Sequence, residues 1–425
     1  MGNIIFKAKK IVEVAKGATW VADNGNLHLG ADKATVLQKG GEGVQLKIGK
    51  PPAKKDATLP EVEEIKILTP LVPGLDDGGA EVESMVYDGR YEFEVVKFKN
   101  GQQPPNMDVI KWAYEYETID GQKVSEVFAG AAGKRIALTI QAKEVCGRNL
   151  TIKAFIGKPD NGGRYQGRVH YRFRWFNRSQ VQGELDGRAS QPWRVNQSST
   201  SLCGMACIFY LLAKHNYAAY KKLALELHQK GEATLNQYTI VPNAKMFEVD
   251  PRKEPKYPSR MPYADWITLA SARSGDSFWG YSGKTGEDFS AINWPWLMTE
   301  LSEKLLGYKD VVSSGVYNPI IAPLHTDAGI RKKIEDLNTA RKEGYEVMMM
   351  IDSDLIDDEF SWNLDYHWVV LESDITWDYE PGFFSAKKDE INFSVFTWGT
   401  KGQYLKQPIT SAHFVHNYYG FIKVK

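Results

Sequence analysis

Three cysteines in 425 residues are too few for a disulfide framework. Cys203 and Cys207 are separated by three residues, and no second Cys/His pair lies near them in the sequence. That spacing is no metal site, so no metal or other cofactor is expected. Neither sign of charge is in excess: Lys+Arg and Asp+Glu are both 53, a formal net charge of zero. A dedicated nucleic-acid binder usually carries a basic surplus, so no nucleic-acid partner is expected. No run of 18 apolar residues occurs, so no membrane span is expected. The first residues, Met1 to Val12, lack a long apolar run and a cleavage site, which argues against a standard signal peptide. Phe6 stands where a myristoylation signal needs Ser or Thr. These absences describe a chain made in a reducing compartment.

What is present is material for a large folded interior. Hydrophobic residues are 43% of the chain and charged residues 25%, with 12 Trp and 21 Tyr, enough for two or three domains. Residues 1–50 alternate apolar and small polar residues in short runs broken by glycine, and read as a small β-rich module. Residues 51–74 are rich in Pro, Lys and Glu and read as a linker with at most one strand. Residues 75–158 show period-2 runs at 91–99, 110–117, 135–140 and 150–156, with turns at Asn100-Gly101 and Asp120-Gly121. That spacing fits an immunoglobulin-like sandwich with Trp112 at its centre. Residues 159–425 give helices at 203–216, 217–230, near 264–273, 297–306 and 328–343, the last ended by Gly344. Strands follow at 345–351, 366–377, 391–398 and 417–424. Helices before sheet is an α+β order. The expected chain is multidomain: an N-terminal all-β region with an Ig-like sandwich, then an α+β domain.

The chemistry centres on Gln197-Ser-Ser-Thr-Ser-Leu-Cys203-Gly204-Met-Ala-Cys207. This stretch delivers a cysteine to the first turn of an apolar helix. A thiol is a nucleophile only as thiolate, and helix N-terminal N–H groups and an imidazolium both favour the anion. Gly204 leaves room for an acyl group. Cys207, one turn further on the same face, reads as a core cysteine. Gln197 is placed to donate an N–H to an oxyanion beside the backbone N–H of Cys203. His367, opening the apolar run Trp-Val-Val-Leu, is the candidate base. His215 and His228 are expected on the surface. A third residue should orient the imidazole. Asp378 is preferred for that role, with Asn392, Asp374 and Asp389 as alternatives.

Gln197, Cys203, Gly204, Ala206 and Cys207 match the pattern of the papain-like cysteine peptidases, and resemble in particular the leader-processing peptidase domains of bacteriocin exporters. His367 to Leu371 match the "His-aromatic-Val-Val-Leu" context of their histidine, and Asp378 to Gly382 match their later Asp-Pro approximately. Phe396-Thr397-Trp398-Gly399 resembles the papain segment Asn-Ser-Trp-Gly, with Phe396 at the orienting Asn. The resemblance spans about 190–425 and implies a papain-like fold. The short N-terminal strands followed by an Ig-like module resemble bacterial polymorphic toxins and type VI secretion effectors. Together these imply a cysteine-dependent peptidase or amidase acting through a thiol acyl-enzyme, in a secreted toxin or effector. Its substrate would be a protein, a peptide or peptidoglycan. Secretion machinery or an immunity protein would be its partners. It would be exported without a standard signal peptide, or be cytoplasmic before export. Two alternatives stand beside this: a transglutaminase- or deamidase-like toxin, and a non-catalytic adhesion or adaptor protein with a degenerate peptidase-like domain.

Overall fold

Alternation builds the first sheet. Along Arg90–Phe98 the side chains of Tyr91, Phe93 and Val95 are buried while Arg90 and Glu92 face water. The structure, a computed structural model, describes residues 59–253, 261–276, 294–315, 326–357, 366–382, 386–402 and 408–425. The module expected over 1–50 lies outside the described residues. In chain order the first strands are β1 (Val62–Ile67), β2 (Val72–Leu75), β3 (Glu81–Ser84), β4 (Arg90–Phe98), β5 (Lys111–Glu117), β6 (Lys123–Ala132), β7 (Arg135–Thr139), β8 (Asn149–Phe155) and β9 (Gly163–Arg168). β2 and β3 form a hairpin of their own. The other seven form one sheet in the order β6-β5-β8-β9-β1-β4-β7, with β1 parallel to β9 and the remaining neighbours antiparallel. β6 and β7 are joined through Gly133 and Lys134 but do not pair with each other, so the sheet curls to a nearly closed form. Trp112 is buried in its core, and its indole N–H donates to the Gly133 carbonyl at 2.9 Å. Gly133 has φ of +106°, which its missing Cβ permits.

A single nearly closed sheet stands where two stacked sheets were expected. β1 and most of the β2–β3 hairpin's first strand fall in the stretch read as linker. β9 carries the sheet to Arg168, past the expected boundary at 158. β6 escaped the sequence reading because it buries no side chain completely and therefore shows no clear alternation.

The rest of the chain is mixed α/β. Its elements are α1 (Arg178–Gly187), α2 (Cys203–His215), α3 (Tyr217–Lys230), the hairpin β10 (Ala233–Leu235) and β11 (Tyr238–Ile240), and α4 over 263–276. α4 contains a π turn at Trp266–Ala270. Then come α5 (Pro295–Lys304), β12 (Val311–Ser313), α6 (Asp327–Lys342), β13 (Glu346–Asp352), β14 (Tyr366–Leu371), the hairpin β15 (Thr376–Glu380) and β16 (Lys388–Asn392), β17 (Val395–Thr397), β18 (Thr400–Gly402), α7 (Ser411–Asn417) and β19 (Tyr418–Val424). The second sheet runs β12-β19-β13-β14-β17-β18, antiparallel throughout.

Strand parity divides this sheet into two apolar faces. Met348, Met350, Trp368, Val370 and Phe396 pack with α2. Val347, Met349, Ile351, Val369, Leu371 and Val395 pack with Ile330, Ile334 and Leu337 of α6. α2 is buried on every side from Cys203 to Ala213, the mark of a central helix. Burying Ile208, Phe209 and Leu211 contributes about 1.5–3 kcal/mol each. The Thr326 hydroxyl caps α6 by accepting the Gly329 N–H, and Gly344 follows its end at φ +84°. The strand expected over 366–377 breaks after Leu371, and that over 391–398 is two strands. Residues 411–417 are helical, in the gap left between the strands expected at 391–398 and 417–424.

Candidate active site

Cys203 opens α2, and the preceding residue, Leu202, has no side-chain oxygen to cap the helix. The first N–H groups of α2 are thus left without a side-chain acceptor. The sulfur takes up part of that role: the backbone N–H groups of Trp368, Gly204 and Cys203 itself face Sγ and favour the thiolate. Burial opposes them more strongly, and the thiol's pKa is raised above its ordinary value. The lowered pKa expected for a catalytic thiol is therefore not found in this state. Cys207 lies fully buried one turn deeper, and burial raises its thiol further, with Cys203 adding to the effect. Cys146 is buried in the first sheet's core, its thiol pushed up to about 12. All three thiols are free.

His367 is the second residue of β14, paired with Ile351 of β13. Its Nε2 lies 2.6 Å from the Thr397 hydroxyl. Trp398 stacks on the ring at 4.6 Å between centroids, with 17° between the planes. Burial alone lowers the imidazole pKa to about 3, so the ring is neutral at pH 7. The next residue, Trp368, is the one whose backbone N–H faces Cys203. β14 therefore brings the imidazole's own strand against the sulfur. No hydrogen bond joins Cys203 to His367 among the described residues. By parity the imidazole belongs with Val369 and Leu371, on the α6 side, whereas Cys203 packs among the α2-side residues. The ladder between β14 and β17 starts at Val370–Phe396, which leaves the strand end at His367 and Trp368 unpaired with β17.

Gln197 is buried, and its carbonyl accepts the Thr200 hydroxyl at 2.6 Å. Its side-chain amide has no hydrogen-bond partner among the described residues. Asn196, just before it, accepts the Ser198 N–H at 2.7 Å and holds Ser198 at φ +56°.

Asp378 is not beside His367. It sits on β15, 61% exposed at its side chain, and pairs with Lys388 at 2.5 Å. Asp374 meets Arg341 at 3.3 Å. Asp389 accepts the Trp377 indole N–H at 2.8 Å and the Ser411 hydroxyl at 2.8 Å. Asn392 pairs with Thr376 across the β15–β16 hairpin. The residue on the imidazole is Thr397. Sequence matching had placed Phe396 at the orienting position, but Phe396 points to the other face and stacks on Tyr210 at 3.9 Å. One residue of register separates the two, and a one-residue step reverses the face.

His228, expected on the surface, is fully buried. Its Nε2 meets the Phe176 carbonyl at 2.8 Å and its Nδ1 the Arg178 guanidinium at 3.2 Å, and its pKa is lowered to about 3 by burial first and Arg178 second. His215 does reach solvent and pairs with Glu346.

No cluster of three or more His, Cys, Asp or Glu suited to a metal occurs among the described residues. No described helix is long and apolar enough to cross a membrane. Comparison with family models, with curated proteins and with solved structures found no match.

Proposed function

We propose that this chain is a cysteine-dependent acyl-transfer enzyme of the papain-like type, a peptidase or amidase with Cys203 as nucleophile and His367 as base. The observation that carries the reading is the sulfur of Cys203 at the uncapped start of a buried helix, with the N–H of Trp368, the residue after His367, turned toward it. Gln197 supports it as a buried amide six residues upstream. Thr397 and Trp398 support it by fixing the imidazole on two sides. The proposed substrate is an amide in a protein, a peptide or peptidoglycan, met after export of the chain.

The resting site holds a neutral thiol and a neutral imidazole, so the proton moves during reaction. With Nε2–H donated to Thr397, Nδ1 keeps the lone pair that accepts the thiol proton. The sulfur–carbon bond forms as the carbonyl electrons move to oxygen. The Gln197 amide and the Cys203 N–H then receive the oxyanion. Collapse expels the amine, which takes the proton from the imidazolium. Water repeats the sequence and frees the acid and the thiol. Nucleophile–base contacts in substrate-free sites are often long and tighten on binding.

p-Nitrophenyl acetate tests the reading on the full chain. Wild type gives a burst of nitrophenolate from acetylation of one thiol, and Cys203→Ala gives none while Cys207→Ala keeps it. His367→Ala slows the burst about 100-fold or more, and Gln197→Ala about 100-fold. A burst retained in Cys203→Ala sinks the proposal. Because the thiol pKa is raised, iodoacetamide labelling of Cys203 climbs with pH beyond 9 and shows no plateau in acid.

A second reading is favoured by the opposite parities of Cys203 and His367: a non-catalytic adaptor that keeps a peptidase-like helix and strand. It predicts no burst in wild type and no difference in labelling between wild type and His367→Ala.

A further inference from the structure

We infer that Asp265, held by Arg188, is a positioning residue for the Cys203 site: through Asn196 it fixes the turn that carries Gln197 against the turn that carries Trp398. The role in chemistry rests on the acyl-transfer reading; the anchoring itself does not.

Asp265 lies in α4, about 70 residues from Asn196 in sequence, immediately before the π turn. Its Oδ2 accepts from the Arg188 guanidinium at 2.6 Å and from the Asn196 N–H at 3.0 Å. Arg188 also donates to the Tyr220 hydroxyl, and all three side chains are buried. Asp265 Oδ1 is buried without a partner. A buried ion pair with an unsatisfied oxygen adds little net stability over apolar packing of the same volume. Its geometry is what it supplies: one carboxylate oxygen ties a helix, a buried arginine and the backbone of a loop. Burial raises the Asp265 carboxyl to about 7 against the pull of Arg188, which marks the depth of the site.

Asn196 then works in two directions. Its Oδ1 takes the Ser198 N–H and shapes the turn around Gln197. Its side chain also lies against Gly399, where an added Cβ would come within 2.9 Å of it. Gly399 has φ +74° and follows Trp398 at φ +44°, so this turn is tightly specified. Trp398 stacks on His367, and Thr397 bonds to it. A single side chain thus spaces the candidate oxyanion donor from the residues that hold the candidate base.

The test compares amide hydrogen exchange in wild type, Asn196→Ala and the double variant Arg188→Met/Asp265→Leu. Asn196→Ala leaves the buried pair intact, so it remains informative where the double variant fails to fold. Both variants should exchange faster at residues 197–202 and at 397–402, with β5 and β8 unchanged. Asn196→Asp, which keeps the acceptor for Ser198, should restore protection. In parallel, the acetyl burst of Asn196→Ala should fall about tenfold through loss of oxyanion placement. Its iodoacetamide rate, which involves no carbonyl attack, should stay within about threefold of wild type. Faster exchange in only one segment, or evenly over the chain, overturns the inference. Equal falls in burst and alkylation overturn the positioning role. If wild type gives no burst while both segments still loosen together, the anchor stands and the acyl-transfer reading fails.

Discussion

The sheet over 62–168 and the region over 178–424 handle buried polarity differently. In the sheet, Lys153 is buried but its partner Glu115 reaches solvent, so the charge is neutralised at the rim. In the second region Arg188 and Asp265 pair with neither in contact with water. His228, His367 and Gln197 are also buried there. Apolar residues would fill those positions at equal or lower free energy. Arg188, Asp265 and Gln197 lie near the turn before α2, while His228 sits at the end of α3 against Phe176 and Arg178.

The contrast can be tested through stability. Arg188→Met should cost about 3–5 kcal/mol by leaving Asp265 buried and uncompensated, with most of it recovered in Arg188→Met/Asp265→Leu. Lys153→Met in the sheet should cost only about 1 kcal/mol or less, since Glu115 can hydrate. Urea denaturation of the three variants reads both; equal costs for Arg188→Met and Lys153→Met would erase the distinction.

A pH series probes the same depth. The folded pKa values of His228 and His367 are about 3, below the ordinary 6.5, so the unfolded chain binds protons first as pH falls. Each histidine then removes up to about 1.4 kcal/mol of stability per pH unit between 6.5 and 3. The raised carboxyl of Asp265 acts in the opposite sense, adding stability as pH falls from 7 toward 4. The difference between wild type and His228→Gln cancels the shared terms. That difference should grow in the variant's favour as pH falls from about 7 to about 5, by one proton's slope. A constant difference would mean that His228 takes up its proton equally in the folded and unfolded chain, and so is not buried neutral.

Thr397→Val should cost about 1 kcal/mol by removing the hydrogen bond to His367. It should lower the acetyl burst without changing the exchange of β5 and β8. The smallest effect concerns the thiols. Iodoacetamide under native conditions should leave Cys146 and Cys207 unmodified while it labels Cys203 slowly in alkali; mass spectrometry of peptides separates the three.

Much of the second region was legible because its periodicities are strong. α2, α3 and α6 follow from apolar spacing and from Gly344, and β13 from an unbroken apolar run. Trp112 was legible as the centre of an alternating sheet. β1, β6, β9, α1 and α7 were not. Their polar composition hides elements that are held by neighbours rather than by their own pattern. In the site, the segment around Cys203 and the strand start at His367 were local signals. Thr397 was lost by one residue of register. Asp378 was drawn away by its pairing with Lys388, a cross-strand contact that no local pattern announces. Asp265 left a faint trace, a carboxylate between Ala264 and the run Trp266-Ile-Thr-Leu-Ala, but its partner Arg188 is remote in sequence.

The unzipped pair β6 and β7 has a consequence for concentrated solutions. Both strands carry a ladder on one side only among the described residues, so their outer amides depend on water. Lys123 and Glu126 lie on β6, and Lys134 and Arg135 at the start of β7 pair with Glu94 of β4. Such charges oppose stacking of one molecule on the next, and dissolved ions weaken the opposition. Aggregation through this margin would therefore be promoted by added salt, and dilute, low-salt buffer is where the chain should stay dispersed longest.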